Sequence, residues 1–258
     1  MRAYHTYVAV CPFLKLSHFF ANEAILSAAR GAKRIHIVDF NILYGLQWPC
    51  FLKALAEREE GPPELVRITG VDVNYIEAGA GARARAGSSW RLEEAGRRLG
   101  EYAEVYGLKL EYRKVEGGGW ERVTWEGLGL KEGEVLAVNC INRLRHVMEE
   151  GVVAVMMEEA GGGGGGGGGG MGWCPREAAL ARIRRLNPAV FIEGVVNAAY
   201  NAPFFMSRFK EALYYYASRF DALHSNVAGE VAERAMVERE VLGREIMNVV
   251  ACEGVERR

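Results

Sequence analysis

No C-x-x-C pair, no zinc-finger spacing and no H-E-x-x-H occurs in the chain, so its sequence announces neither a redox dithiol nor a zinc site. The five cysteines, Cys11, Cys50, Cys140, Cys174 and Cys252, are scattered, and they read as buried free thiols in a reducing compartment. "HVMEE" joins His146 to two acids at a spacing unsuited to metal. No serine lies in a G-x-S-x-G elbow, which leaves no activated nucleophile. Apolar runs of membrane-spanning length are missing too, and the first thirty residues are broken by His5, Lys15, His18, Asn22 and Glu23, so neither a membrane span nor a secretory leader is expected. Charge of one sign is also lacking. With 32 basic and 33 acidic residues the whole molecule has no electrostatic footprint of the kind that clamps DNA phosphates, although local basic clusters remain.

What is present is a strand and helix rhythm. Half of the 258 residues are hydrophobic, enough for a sizeable core. From Ser17 the residues Phe20, Ala21, Ala24, Ile25 and Ala28 share a helical face, and Gly31 ends that helix. "RIHIVDF" is a buried strand closing on Asp39, with His36 in its middle as a packing residue. A helix follows from Trp48 with Pro49 in its first turn. "ELVRITGVD" repeats the pattern, with Asp72 at its carboxyl end, and a strand, helix, strand series implies a right-handed crossover and a parallel sheet. "WRLEEAGRRLGEYAEVYG" spaces Leu92, Ala95, Leu99, Tyr102 and Tyr106 at helical period. "LKLEYRKV", "EVLAVNC" and "AVFIEGVVN" are strands three to five, "PREAALARIRRLN" is a helix, and "PFFMSRFKEALYYYASRFDAL" and "EVAERAMVEREVLGRE" are two more. "IMNVVAC" reads as a sixth strand. The expected fold is α/β: a doubly wound, mostly parallel Rossmann-like sheet with helices on both faces.

Two stretches interrupt the rhythm. Residues 74–89, "NYIEAGAGARARAGSS", read as a mobile surface insertion, and the ten consecutive glycines Gly161 to Gly170 as a flexible linker, since glycine loses the most backbone entropy on ordering. The apolar opening "AYHTYVAVCPFLKLSHFF" and the closing "NVVACEGVERR" suggest a fragment or a shortened gene product.

A cofactor in such a sheet sits on a glycine turn at the carboxyl ends of the first strands. Asp39 and Asp72 stand where acids would meet ribose hydroxyls or a charged amine. The turn "FNILYGLQW" has a single glycine, Gly45, with Ile42, Leu43 and Tyr44 where G-x-G belongs. Asp39, Asn41, Gly45, Gln47 and Asp72 are therefore candidates for a residual pocket, and a turn cap is the plainer role for Asp39. Arg182, Arg184 and Arg185 are a solvated face or, in the sharper reading, contacts to DNA phosphates. The spacing of Phe204, Phe205, Phe209, Leu213, Tyr216 and Phe220 suits a mostly buried helix face, part of which would serve a partner.

Together these motifs resemble the plant GRAS family of transcriptional regulators. "RIHIVDFNILYGLQWPCFLKALA" is similar to its VHIID motif, with Ile35 to Asp39 on the five named positions. "LNPAVFIEGVVNAAYNAPFFMSRFKEALYYYASRFDAL" with "EREVLGREIMNVVACEG" is similar to the PFYRE region, which Pro203 begins. "AYHTYVAVCPFLKLSHFFANEAIL" resembles the end of the first leucine-rich region, and "RLEEAGRRLGEYAEVYGLKLEY" the second. "HFFANEAILSAARGAKRIHIVDF" and "FIEGVVNAAYNAPFF" look most like the scarecrow-like branch.

The resemblance implies one partial GRAS domain over 1–258: the end of the first leucine-rich region and cap in 1–30, the VHIID-like part in 31–60, the second leucine-rich region with its following strands in 61–150, and the PFYRE-like part in 175–258. It implies a core similar to Rossmann-type methyltransferases with most of the helical cap and the C-terminal SAW segment missing, which would expose a sheet edge to association and make a homodimer one form of the protein. It further implies a nuclear regulator or co-regulator that is no enzyme, uses no cofactor, and binds other transcription factors and in one version DNA. Trp48, Phe204, Phe205, Arg208 and Tyr215 are the partner candidates, and Arg182, Arg184 and Arg185 those for DNA. The rival is a methyltransferase using S-adenosylmethionine.

Overall fold

The computed structural model describes residues 2–71, 82–115, 123–144, 175–200, 204–227 and 231–252. Asp72, Cys174, His146, Pro203, the Gly161 to Gly170 tract and residues 74–81 of the expected insertion lie outside them. The chain divides into two compact units. One comprises Met1–Ser17, Met148–Met171 and Val196–Arg258, the other His18–Val147 and Gly172–Val195.

The second unit holds the sheet. Strands β1 (Arg34–Asp39), β2 (Leu65–Val71), β3 (Leu110–Val115), β4 (Val135–Ile141) and β5 (Val190–Gly194) run in the order β3-β2-β1-β4-β5. Every pairing is parallel, with Asp39 opposite Gly70 on one side and Asn139 on the other. Helices cover both faces. Ile35, Ile37, Val66, Ile68 and Ala137 pack with α3 (Trp48–Ala56) and α4 (Ala82–Val105), together with Ile25 of α2 (Pro12–Ala28). Val38, Val71, Leu136, Val138 and Cys140 pack on the other face with Leu128 of α5 (Trp125–Leu128) and with Ala179 and Ile183 of α6 (Pro175–Arg185). Burial on both faces explains why "RIHIVDF" is almost continuously apolar. The fold is therefore the doubly wound α/β class expected.

The other unit is helical among its described residues: α1 (Arg2–Val10), the start of α2, α7 (Phe205–Asn226), α8 (Val231–Val237), a π-helical turn (Glu238–Gly243) and α9 (Arg244–Ala251). Tyr200, Ala212, Tyr216 and Val249 form one of its small cores, and Leu223, Val237 and Leu242 another.

Several expectations need correction. "IMNVVAC" forms most of α9 instead of a sixth strand: Ile246 and Val249 fall one turn apart against the Tyr216 core while Met247 faces solvent, a helical pattern that overrides the β preference of its valines. Residues 82–89 of the insertion are the first turns of α4, where alanine and arginine, both strong helix formers, outweigh the single glycine, Gly87. Helix α2 starts at Pro12, five residues before Ser17, and buries Ala21 and Ile25 while Phe20 is exposed. On α4, Ala103 is buried in the position given to Tyr102, which is exposed. Cys11 and Cys140 are buried free thiols, but Cys50 is exposed on the outer side of α3. The α7 stripe is core only from Tyr216 onward, since Phe204, Phe205, Phe209 and Leu213 are exposed.

Candidate functional site at the switch point of the sheet

Strand order reverses between β1 and β4, and the carboxyl ends of strands at such a reversal are where doubly wound sheets hold ligands. Asp39 and Asn139, paired in register, close those two strands. Asp39 is buried, and each of its carboxylate oxygens is occupied. Oδ1 accepts the Asn41 backbone N–H at 2.9 Å and the Asn139 amide at 3.2 Å, while Oδ2 accepts the Trp48 indole N–H at 2.8 Å. Burial pushes the carboxyl up to about 6, and these three hydrogen bonds pull the other way.

The network continues through amides. Asn139 Nδ2 also donates to Gln47 Oε1 at 3.1 Å, Gln47 Nε2 donates to Asn22 Oδ1 at 3.0 Å, and Asn22 Nδ2 returns to the Gln47 carbonyl at 3.3 Å. Asn41 Nδ2 donates to the Ile141 carbonyl at 3.0 Å, tying the turn after β1 to the end of β4. Four of the pocket candidates, Asp39, Asn41, Gly45 and Gln47, are thus brought together, and their polar groups are directed at the protein itself.

The turn is shaped by backbone and apolar side chains. Leu43 and Asn142, which follow the ends of β1 and β4, have φ of 44° and 57°, a left-handed conformation rare for residues with a side chain. Gly45 has φ of 70°, and a Cβ there would stand 3.3 Å from Leu99 Cδ1. Ile42 is buried and lies over the end of β2, its Cγ2 only 3.0 Å from where a Cβ on Gly70 would be, and the Tyr112 hydroxyl closes in beside it at 2.6 Å. Gly70 therefore admits side chains in place of a nucleotide.

A second polar cluster lies on the α5 and α6 face. His36 Nε2 and Thr69 Oγ1 are 2.8 Å apart, and Arg67 pairs with Glu134 at 2.9 Å, with Glu111 at 3.2 Å and with the Gly129 carbonyl at 3.0 Å. His36 Nδ1 is 3.2 Å from a Glu134 oxygen but out of line for a hydrogen bond. Burial first, and then the positive charges of Arg67, Arg113 and Lys131, lower the imidazole to about 3, so His36 is a neutral packing residue.

The partner and DNA candidates are placed differently. Trp48 and Arg208 are fully buried, so neither presents its side chain to a partner, because the indole is drawn inward by Asp39 and the guanidinium lies beneath the Phe205 ring at 5.6 Å. Phe204 and Phe205 are exposed, and Tyr215 is half-buried with its hydroxyl accepting from Arg219 at 2.6 Å. Arg182 is half-buried and Arg184 and Arg185 are exposed, all in the last turn of α6, where positive charge also complements the helix dipole. Among the described residues no cluster of His, Cys, Asp or Glu is arranged to hold a metal, and no helix is long and apolar enough to cross a membrane.

Sequence reasoning missed Asn22, Asn139 and Gly70. The asparagine in "VLAVNC" is a lone polar residue ending an apolar strand, and that was the available signal.

Comparison with known proteins agrees with the fold. Scarecrow-like protein 34 of Arabidopsis thaliana is 41% identical over 257 residues, covering 100% of this chain and 37% of its own length. Scarecrow-like protein 33 of the same plant is also 41% identical, over 259 residues, with 33% of its length covered. A crystal structure of SCL7 from Oryza sativa superposes with a TM-score of 0.74 at 31% identity, over 99% of this chain and 63% of that one. The chain therefore spans about a third of the length of the curated relatives it matches. The GRAS domain family model matches residues 1–258, and the chain belongs to that family of plant transcriptional regulators.

Proposed function

We propose that this chain acts in the nucleus as a transcription regulator or co-regulator that works by binding other transcription factors, on a Rossmann-like scaffold that has no enzymatic role. The observation that carries the reading is the occupation of the switch point. Asp39 spends its three acceptor contacts on Asn41, Trp48 and Asn139, and Ile42 lies over Gly70 where a nucleotide would need backbone. A buried polar network whose groups, Asn139 Oδ1 apart, are paired from within supports a structural role for these residues. Contact with partners then falls to exposed surface, of which Phe204 and Phe205 at the start of α7 are the best-placed aromatics among the earlier candidates.

The rival is a methyltransferase using S-adenosylmethionine, and one experiment separates the two. Calorimetric titration of S-adenosylmethionine into the folded chain gives no saturable heat under the scaffold reading. Micromolar binding that Asp39→Ala abolishes would establish the enzyme instead.

Direct contact with DNA is a second reading, favoured by the exposure of Arg184 and Arg185 beside Arg182. It requires affinity that falls steeply with salt, with a slope that decreases by roughly 0.9 for each phosphate contact removed. A flat response, or one that replacement of the arginines leaves unchanged, rules this reading out.

A further inference from the structure

Four arginines gather at the amino-terminal end of the sheet, on the face covered by α5 and α6. Arg34 opens β1 in step with His36 and Val38, which point to that face, and it is exposed. Helix α6 carries Arg182, Arg184 and Arg185 in its last turn, and residues 186–189 lead from it straight into β5, where the Ala189 N–H donates to the Leu136 carbonyl at 2.8 Å. The register sets Ile35 against Val135 and Ala137 against Val190, so Arg34 is level with Asn187, two strands away, at roughly 10 Å. The end of α6 and the start of β1 therefore belong to one corner of the sheet.

Charge at this end is divided. Toward β2 it is neutralised, with Lys33 pairing to Glu64 at 3.2 Å and Arg30 to Glu60 at 3.8 Å, and Glu59 exposed next to them. Toward β5, none of Arg34, Arg182, Arg184 and Arg185 pairs with a carboxylate among the described residues. A chain of formal net charge -1 thus holds a local excess of positive charge. A guanidinium donates in a planar fork and meets a carboxylate or a phosphate with two parallel hydrogen bonds. The extent of the patch chooses between the two. A DNA duplex is a rigid rod with a charge every ~1.7 Å along its axis, and toward β2 it would run onto Glu59, Glu60 and Glu64. A short peptide reaches the four arginines and stops before those acids.

We propose that this corner of the sheet docks an acidic peptide segment of a partner protein, with Arg184 and Arg185 as the main contacts and Arg34 at the far end of the same site. Clusters of arginine are a recurrent means of reading acidic segments. The proposal rests on the reading that the chain works by binding other proteins, and it names the kind of segment recognised and its place.

Fluorescence anisotropy of a labelled peptide of Glu-Asp-Leu-Ser repeats, titrated with the whole folded chain, tests it. The expected result is saturable binding that weakens with salt and that the Gln-Asn-Leu-Ser counterpart does not show. Arg184→Glu with Arg185→Glu should reduce it roughly tenfold or more with unchanged circular dichroism, and Arg34→Gln roughly threefold, which ties β1 to the same site. Lys53→Glu, an exposed change on α3 across the sheet, should leave it unaltered and controls for net charge. No saturable binding, or binding that the α6 reversal or Arg34→Gln leaves unchanged, overturns the proposal. If the glutamates disturb α6, Arg184→Gln with Arg185→Gln removes the charge alone and must still weaken binding. A labelled duplex that displaces the peptide through the same arginines gives the site to DNA and refutes the proposal. A chain that captures a transcription factor yet binds no peptide refutes the docking site and leaves the partner reading intact. One that binds the peptide through these arginines and captures no transcription factor does the reverse.

Discussion

The indole N–H of Trp48 donates a 2.8 Å hydrogen bond to Oδ2 of Asp39, and both residues are buried. One contact fixes the end of β1, the start of α3 and the turn between them. It also keeps the acid from any outside partner.

The pH dependence of stability should carry the imprint of that acid. The folded carboxyl is raised to about 6, while in the unfolded chain it returns to the ordinary aspartate range near 4. Its stabilising contribution is thus complete below the unfolded value and is lost as pH rises through 6, by on the order of 3 kcal/mol. His36 works in the opposite direction: lowered to about 3, it favours the fold above the unfolded value near 6.5 and loses that contribution as pH falls. In Asp39→Asn the acid's opposing trend is gone, and the histidine trend remains, carried by His36 and by His18, whose imidazole burial lowers to about 4. Thermal melts between pH 4 and 6 should therefore show the variant losing stability on acidification more steeply than the parent, and parallel curves would contradict the assignment.

Trp48→Phe should destabilise the chain at neutral pH. The ring still fills most of its site beside Phe51, but Asp39 Oδ2 loses its donor and is left buried. An unsatisfied buried polar group costs about 1–3 kcal/mol, more when charged. Denaturant unfolding measures this, and the loss should shrink as the pH falls below 6 and the carboxyl takes up its proton.

The Arg67 and Glu134 pair is the second buried charge site, with side chains 9% and 2% exposed. Glu134→Gln leaves Arg67 with Glu111, which is half-exposed, and the Gly129 carbonyl. Breaking a buried pair from one side costs roughly 3–5 kcal/mol, and the surviving contacts place this case at the lower end. The combined change Arg67→Met with Glu134→Gln should recover part of that loss. A double variant no more stable than Glu134→Gln would mean that the pair itself, more than the orphaned charge, holds the α5 turn.

Much of this was legible in the chain. The apolar runs at Arg34 to Asp39 and Leu65 to Val71 mark strands buried on both faces, and the Ile42 to Gly45 turn without G-x-G already argued against an open nucleotide cradle. What stayed hidden depends on partners distant in sequence. The bond from Asn139 to Asp39 crosses 100 positions, so neither residue alone shows that the other occupies it. The inward turn of Trp48 is likewise a tertiary choice, because an aromatic at a helix start suits a surface as well as a core. "IMNVVAC" misled because β-branched residues were weighed without knowing that the Tyr216 core awaited one face of a helix.

Gly45 tests whether the turn geometry itself matters. Its φ of 70° lies in the left-handed region, and an added Cβ would press to 3.3 Å from Leu99 Cδ1. Left-handed backbone costs a residue with a Cβ roughly 1–2 kcal/mol, and the close approach adds to it because the surrounding core has little room to move. Gly45→Ala should therefore lower stability by about 2 kcal/mol. Gly31 is the internal control: it has a similar φ of 67° but no atom within 4 Å of an added Cβ, so Gly31→Ala should cost only the backbone share. Unfolding free energies for the two variants, compared with the parent, isolate the packing component at the switch point. Equal losses would mean that Leu99 yields freely, and the turn would then be less tightly filled than the contacts of Ile42 with Gly70 imply.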